Sequence, residues 1–267
     1  MEILSWNIMS GGFNGYDSTA SRPERLELLI KAIKEADVDL VSLVDTHRWN
    51  EVFTVNELKE MFGYENAFIV KLDDGRLRVK GHDNGIAILT RLPVKRFETI
   101  RLATRNAIKT TMEGGLELFS VYFDDLSEDT RLKQATILLG LVGNKMSIIA
   151  GDLNTFDRDD LEESKRQIQK LYQQYPQLIN GMKPVLDGMA RAEVTALLKR
   201  RGLIDMGENA GNTIPSPLFP VRIDVPVLRV DYGFCTPDVK MESFEVLRGG
   251  VFDQVSDHCP IKMRVSL

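Results

Sequence analysis

Short apolar runs alternate along the chain with segments in which apolar residues recur at every third or fourth position. Continuous or alternating apolar runs predict strands, and the wider spacing predicts amphipathic helices. The predicted strands are residues 3–8, 38–44, 67–71, 86–89, 116–122, 227–234, 242–247 and 261–265, a run that begins at 148, and several short runs between 94 and 121. The predicted helices follow Pro23, span 55–61, start after Ser127, and cover 159–175 and 188–201. No linker, repeat or low-complexity run interrupts the pattern, so a single domain over 1–267 is expected.

Polar side chains stand where several of the predicted strands end. The central run, 148–150, passes into a glycine, and Asp152 and Asn154 then occupy alternate positions, so that both point to the same face. Asn7 and Asp45 end two earlier strands. Any one of these residues alone could be an ordinary turn former or helix cap. Their recurrence at strand ends favours a functional site.

A second polar group lies near the end of the chain. Asp257 and His258 stand in a loop that leads into the last strand, and Asp231 lies inside an earlier strand, where a lone buried carboxylate would be costly. A hydrogen bond between Asp231 and His258 would satisfy the acid, fix the imidazole and favour its protonated form. The alternative is a satisfied surface pair of Asp257 and His258.

The other two histidines are weaker candidates. His47 follows a strand end and is either a surface or hydrogen-bonded residue or a functional one. His82 and Asn84 belong to a polar loop that either faces solvent throughout or reaches the site. The preceding turn, 73–75, is expected to be ordinary hairpin chemistry, because Asp-Gly readily adopts positive φ.

Composition limits the classes of protein that remain. The chain has 267 residues, a net charge of -5 and a pI near 5.4, which argues against a broad electropositive surface but not against a local basic groove. The basic cluster 199–201 is expected to complement a helix dipole, and the charged helical faces are expected to be solvated.

The two cysteines and the N-terminus indicate a cellular compartment. Cys235 and Cys259 lie in apolar runs, as is typical of reduced cysteines in a protein core. Without a recognisable signal peptide or membrane span, a cytoplasmic protein is expected.

Six short motifs in a fixed order resemble the endonuclease/exonuclease/phosphatase family. They are Trp6-Asn7, Leu43-Val44-Asp45, 85–91, 151–154, Val230-Asp231-Tyr232 and 256–260. The resemblance spans almost the whole chain, and a helical insert of about 157–195 is its main unmatched part. It implies a four-layer α/β sandwich of the DNase I-like kind, with two mixed β-sheets packed face to face and helices outside. It also implies a divalent metal, Mg²⁺ with Mn²⁺ as an alternative, and in-line attack of water on phosphorus.

The resemblance further implies a role for each matched residue. Asp152 would orient or deprotonate the attacking water, and Asn154 would hold that water or a phosphate oxygen. His258, oriented by Asp231, would donate a hydrogen bond to the phosphate as charge builds there. The implied catalytic residues are Asp152, Asn154, His258, Asp231 and Tyr122; the implied metal-binding residues are Asp45, Asn7 and Asp257; the accessory candidates are His47, His82 and Asn84.

The chain departs from the family pattern at two of these positions. Val44-Asp45 stands where the family usually has Gln-Glu, so the metal must shift or a water must bridge to the shorter side chain. Tyr122 stands where the family often has a histidine, and His47 could partly substitute for that histidine. Exonuclease III-type enzymes resemble this chain at that position, with a tyrosine that contacts phosphate. Thr46 and 256–261 also resemble that branch, whereas 9–11 and 123–125 do not, so the subfamily stays open.

Three functions follow as expectations. The first is a metal-dependent phosphodiesterase or nuclease that acts on nucleic acid or a nucleotide-like ester. The second is a phosphatase or phosphodiesterase for a small molecule or lipid head group, which the acidic charge favours. The third is a catalytically impaired binding protein, suggested by Asp45 and Tyr122. A monomer without membrane insertion is expected, and the loops 11–22, 73–84 and the segment near Pro215 would choose the substrate.

Overall fold

Two six-stranded mixed β-sheets form the centre of the structure, a computed structural model that describes residues 1–13, 24–75, 83–143, 145–174, 176–218 and 228–266. The strands are β1 (Glu2–Asn7), β2 (Leu40–Val44), β3 (Asn66–Lys71), β4 (Gly85–Thr90), β5 (Val94–Leu102), β6 (Arg105–Met112), β7 (Glu117–Tyr122), β8 (Ser147–Asp152), β9 (Ile204–Asp205), β10 (Asp231–Cys235), β11 (Lys240–Val246) and β12 (Ile261–Ser266). The helices are α1 (Glu24–Ala36), α2 (Trp49–Val52), α3 (Val55–Phe62), α4 (Glu128–Leu141), α5 (Leu161–Gln174), α6 (Ile179–Met189) and α7 (Glu193–Arg200).

The order of the strands places the ends of four of them at one edge. The first sheet runs β11-β12-β1-β2-β4-β3, and the second runs β5-β6-β7-β8-β10-β9. β1 pairs in parallel with β2, and β7 pairs in parallel with β8; the remaining pairs are antiparallel. Parallel neighbours end at the same edge of a sheet, so the residues after β1 and β2, and those after β7 and β8, are brought together.

The core lies in layers that follow the alternation of side chains along each strand. One cluster fills the space between the sheets, with Ile3, Leu40 and Ile86 from the first sheet and Leu118 and Ile148 from the second. A second cluster covers the outer face of the first sheet with α1 and α3, and a third covers the outer face of the second with α4 and α7. The result is helix, sheet, sheet, helix, which confirms the predicted four-layer sandwich.

The segment after β8 differs from its prediction. Its described part contains α5, α6 and α7, whereas only helices over 159–175 and 188–201 were expected. The prediction missed α6 because Gly181, Pro184 and Gly188 interrupt its pattern, and a proline inside a helix is normally destabilising. Leu186 and Met189 are nevertheless buried in a cluster with α5, so packing overrides the local preference.

Several smaller expectations also need correction. β10 begins at Asp231 rather than at 227, and Leu228 makes only an isolated bridge to Ile214. The turn at 73–75 is not ordinary hairpin chemistry, because Asp74 is 3% exposed and pairs with a buried arginine, Arg105. Neither α2 nor β9 was predicted, since each has four residues or fewer.

Two expectations from composition are met in the described chain. Cys235 and Cys259 are both buried and free of disulfides, as predicted for core thiols. Lys199 and Arg200 lie in the last turn of α7, as expected for a dipole-complementing cluster. Across the described ranges, no helix combines the length and apolar character that crossing a bilayer requires.

The β5–β6 hairpin supports a stability prediction. Leu102 pairs with Arg105, which leaves a two-residue loop whose first residue, Ala103, has φ 51°. Such a loop normally carries glycine at this position, and a left-handed backbone costs an L-residue roughly 1–2 kcal/mol. Glycine relieves this strain, but it also gives the unfolded chain more conformational freedom, which offsets part of the gain. We therefore expect Ala103→Gly to raise the free energy of unfolding by about 0.5–1 kcal/mol, measured by urea unfolding. Thr104→Gly, at the second loop position without positive φ, is the control and should destabilise; a destabilised Ala103→Gly would contradict the turn assignment.

Candidate active site

Two hydrogen bonds between the sheets close one edge of the sandwich. Asn7, at the end of β1, donates from Nδ2 to Asp152 Oδ2 at 3.0 Å, at the end of β8. His258 Nδ1 lies 2.8 Å from Asp231 Oδ2, the partner predicted from the sequence. Both bonds join the first sheet, or the loop before β12, to the second sheet. The four side chains therefore face one another across the gap between the layers.

Strand register brings three of the candidate residues into one row. Tyr122 of β7 is in register with Asp152 of β8, and Asp152 is in register with Asp231 of β10. Register partners on adjacent strands point to the same face and lie within contact range. The interlayer face that carries Ile148 in the core carries Asp152 at the edge, so the period of two places this row in the site.

The loop that carries His258 is fixed by contacts with β1. The indole Nε1 of Trp6 donates to the His258 carbonyl at 2.8 Å. The Ser256 hydroxyl donates to the Asn7 carbonyl at 2.6 Å and accepts from the His258 backbone N–H at 3.1 Å. Thr213 Oγ1 accepts from the Asp231 backbone N–H at 3.1 Å, which steadies the other side of the pair. The imidazole is thus held by its backbone as well as by Asp231.

The electrostatics favour a charged imidazole at His258 and raise the pKa of the neighbouring acid, Asp152. Burial lowers the pKa of His258, but the charge and hydrogen bond of Asp231, with the charges of Asp257 and Asp152, outweigh it and raise that pKa to about 10. Burial, reinforced by the charge of Asp231, raises the pKa of Asp152. At neutral pH the site therefore contains a cation at His258 and an acid that would ionise more readily if positive charge were added.

Asp45 has the features of a cation ligand. It is 3% exposed with φ 60°, and its Oδ2 accepts from the Ser10 N–H at 3.0 Å. Its Oδ1 is buried and has no hydrogen-bond partner among the described residues, and burial raises its pKa to about 6. Two more oxygens share this property, Thr46 Oγ1 and Asn84 Oδ1, buried without a partner in the described chain. Unpaired buried oxygens are costly unless a cation or water meets them.

A second group of possible metal ligands overlaps the site. Asp152, Asp231 and His258 each offer one possible ligand atom, and these three atoms lie within 4.8 Å of one another. We interpret this group as a hydrogen-bonded set rather than a metal centre, because a metal-binding imidazole must be neutral and the pKa of His258 is raised. The unpaired carboxylate oxygen of Asp45 fits a hard cation better than this set does.

Asn154 is tied into the site by its backbone and its side chain. It has φ 49°, a left-handed conformation that asparagine tolerates. Its N–H donates to Asp152 Oδ1 at 2.8 Å, and its Nδ2 donates to the Phe123 carbonyl at 3.1 Å. Both oxygens of Asp152 thus receive a hydrogen bond, one from Asn154 and one from Asn7. The carboxylate is held in a single orientation.

The remaining candidates differ in burial and in their hydrogen-bond partners. Asp257 is half-buried, and its Oδ1 lies 3.2 Å from the Ser256 hydroxyl. His47 is fully buried, and its Nδ1 accepts from the Asp83 N–H at 3.2 Å, which matches the hydrogen-bonded alternative; a catalytic role for it stays a prediction. Asn84 is 4% exposed, so the loop is not solvent-facing throughout. His82 lies outside the described residues.

Sequence reasoning gave no role to Trp6, Ser256, Thr213 and Arg105, which hold the site in place. Trp6 and Ser256 belong to quoted motifs, so their presence was noted but their contacts were not. Nothing in the sequence marks Thr213 or Arg105, because their partners lie on other strands and loops. Only the folded chain brings these groups together.

The sequence and the fold resemble known proteins. The model of the Endonuclease/Exonuclease/phosphatase family matches residues 4–258. No curated protein sequence matches the chain. Similar solved structures include an endonuclease/exonuclease/phosphatase from Beutenbergia cavernae, with 19% identity, a TM-score of 0.68, and coverage of 100% of this chain and 71% of that chain.

Two further structures cover 100% of both chains. An AP endonuclease from Archaeoglobus fulgidus has 13% identity and a TM-score of 0.70. A 3′ phosphatase from Neisseria, bound to a product DNA hairpin, has 15% identity and a TM-score of 0.67. At these identities the structures establish a shared fold.

Proposed function

The chain belongs to the endonuclease/exonuclease/phosphatase family, a family of phosphoric ester hydrolases, and we propose that it is a magnesium-dependent phosphodiesterase that cleaves nucleic acid or a nucleotide-like ester. The observation that carries the proposal is the convergence of Asn7–Asp152 and Asp231–His258 across the two sheets. It combines an oriented acid with a charged hydrogen-bond donor at one edge. These are the groups that hydrolysis of a phosphate ester requires.

Asp45 would hold the cation, with Asn7 and Asp257 beside it, as the family resemblance implies. The unpaired, buried Oδ1 of Asp45 supports this assignment. Oxygen donors without a thiolate suit magnesium, and manganese accepts the same ligands. A bound divalent ion would neutralise the phosphate charge and lower the pKa of an attacking water.

The chain's own groups would act around the phosphate as follows. Asp152, with both oxygens fixed by Asn7 and Asn154, would accept the proton of the attacking water as it approaches phosphorus in line. His258 uses Nδ1 for Asp231, so Nε2–H remains to donate to a phosphate oxygen as negative charge develops. Asn154 would hold the water or a phosphate oxygen, and the Tyr122 phenol would bind another.

The substrate class draws its support from the named relatives. One similar structure is called an AP endonuclease, and another is a 3′ phosphatase bound to DNA, which favours nucleic acid. Because the family model and the structural matches extend over nearly all of the chain, we also propose that 1–267 acts as one catalytic domain. The helices at 157–195 would form an insert within it.

The test is hydrolysis of a substrate panel with magnesium, manganese or EDTA. The panel contains single-stranded, double-stranded and abasic DNA, RNA, DNA with a 3′ phosphate, inositol phosphates and bis-p-nitrophenyl phosphate. We expect cleavage of a nucleic acid in magnesium, none in EDTA, and a loss of about 10²-fold or more in His258→Gln. Asp45→Asn should weaken magnesium binding in calorimetry while the protein stays folded.

The other outcomes separate the competing functions. Cleavage confined to inositol phosphates or another small ester would move the substrate to the small-molecule class. Turnover that survives EDTA would remove the role given to Asp45. A folded protein that cleaves nothing on the panel and binds no magnesium would contradict the enzymatic proposal and would favour a binding protein.

A further inference from the structure

Arg105 is a buried cation whose contacts reach two of the candidate site residues. It opens β6, and its side chain is 1% exposed. Nε donates to Asp74 Oδ2 at 3.0 Å, and Nη2 donates to Asp125 Oδ1. A buried arginine with two acidic partners is satisfied as a structural ion pair, so these contacts alone would not connect it to the chemistry.

Two other contacts of Arg105 lead directly to site residues. The guanidinium lies over the Tyr122 ring, 4.9 Å from its centroid, which is within the range of a cation–π interaction. Its Nη1 donates to the Phe123 carbonyl, and that carbonyl also accepts from Asn154 Nδ2. One oxygen atom is therefore shared between Arg105 and Asn154. The rigid, planar guanidinium fixes the tyrosine ring and the acceptor of the asparagine at the same time.

The other segments that Arg105 joins explain why it can fix these groups. Asp74 precedes β4, and Phe123 and Asp125 follow β7. A single side chain thus ties a segment of the first sheet to the edge of the second, at the point where Tyr122 is in register with Asp152. A shift of this side chain would move the phenol and the carboxamide together.

We propose that Arg105 is a positioning residue that sets the Tyr122 phenol by stacking and the Asn154 carboxamide through the Phe123 carbonyl. Its kinetic consequence rests on the proposed function, whereas the placement of Asn154 does not. If Tyr122 and Asn154 contact the reacting phosphate or water, misplacing them lowers kcat. A misplacement of about 1 Å can cost on the order of 10²-fold in rate.

Arg229 offers a matched control within the same protein. It is also buried, pairs with Asp157 and Asp205 at 2.7 Å each, and donates to a backbone carbonyl, that of Gly207. Its guanidinium lies over the Tyr232 ring at 4.7 Å. Tyr232, however, belongs to the outer cluster beneath α4 and α7. Arg229 therefore has the same chemistry as Arg105 without contact to Tyr122 or Asn154.

The kinetic test compares Arg105→Lys with Arg229→Lys. Lysine keeps the charge but lacks the planar fork, so both variants should lose a similar amount of stability in urea. We expect Arg105→Lys to lower kcat about 10- to 100-fold with KM changed less than about threefold, and Arg229→Lys to leave kcat within about twofold. In a Tyr122→Phe, Asn154→Ala background, Arg105→Lys should lower kcat no further. Equal losses of kcat in the two lysine variants, or an undiminished loss in that background, would overturn the proposal.

A spectroscopic test is independent of activity. The side-chain amide resonances of Asn154, identified by their absence in Asn154→Ala, should shift in Arg105→Lys and stay in place in Arg229→Lys. If Arg105→Lys does not fold, Asp125→Ala removes the acceptor of Arg105 Nη2 at a partly exposed position and should shift the same resonances. If the wild type cleaves nothing, the proposed function fails while this measurement still decides the positioning. Unmoved Asn154 resonances in the folded variants would refute it.

Discussion

Replacing Asp152 with asparagine is expected to reduce kcat/KM by about 10³- to 10⁴-fold without unfolding the protein. Removing a general base typically costs 10²–10⁴-fold, and Asp152 is the group proposed to take the proton of the attacking water. Asparagine has nearly the same shape as aspartate, but its amide nitrogen cannot accept, so one of the two hydrogen bonds, from Asn7 Nδ2 or from the Asn154 N–H, is lost. The measurement is steady-state kinetics on the substrate identified by the panel, together with urea unfolding.

The stability of this variant separates a catalytic role from a structural one. Because burial and Asp231 raise the pKa of Asp152, stability due to its protonated form is lost as the pH rises through the folded pKa. In EDTA at neutral pH the neutral asparagine avoids burying a charge, which offsets the lost hydrogen bond, so Asp152→Asn should stay within about 1 kcal/mol of the wild type. Asp238→Asn, an exposed substitution in the turn after β10, is the control and should change neither kcat/KM nor the free energy of unfolding. Activity that survives in Asp152→Asn would remove Asp152 from the mechanism.

The second large effect is on folding: Gly151→Ala is expected to destabilise the protein by at least about 4 kcal/mol or to prevent folding. Gly151 has φ 146°, and an added Cβ would lie 1.9 Å from the Val121 carbonyl oxygen. The clashing atom belongs to the backbone of β7, which cannot rotate away. Relief would require β7 and β8 to separate, and the register of Tyr122 with Asp152 would be lost.

Gly140→Ala makes the same chemical change where nothing obstructs it. Gly140 lies within α4, and apart from its chain neighbours and the backbone of its own helix no atom lies within 4 Å of its added Cβ. Alanine is favoured over glycine in a helix by about 0.5–1 kcal/mol, so this variant should be stabilised. Chemical unfolding of both variants beside the wild type measures the contrast. A Gly151→Ala protein with a midpoint close to that of the wild type would show that the strands can adjust.

The residues at strand ends were predictable because they depend on local periodicity. A strand turns alternate side chains to one face, so Asp152 and Asn7 follow from the apolar positions before them. Asp231 was also predictable, since a carboxylate inside an apolar strand requires a partner, and His258 is present in that role. By contrast, α6 was missed because its glycines and proline oppose a helix locally, and its burial against α5 prevails.

Local patterns along the chain were enough to predict the alternation of strands and helices, the polar ends of the strands, and the acid that needed a histidine. Which of these ends meet, and what holds them there, depends on the packing of distant segments. Asn7 and Asp152 are 145 residues apart, and Trp6 and His258 are 252 apart. Periodicity acts over a few residues, whereas these contacts depend on how two sheets pack. The same is true of Arg105, whose place beneath Tyr122 and Asn154 exists only when β6, β7 and β8 lie side by side.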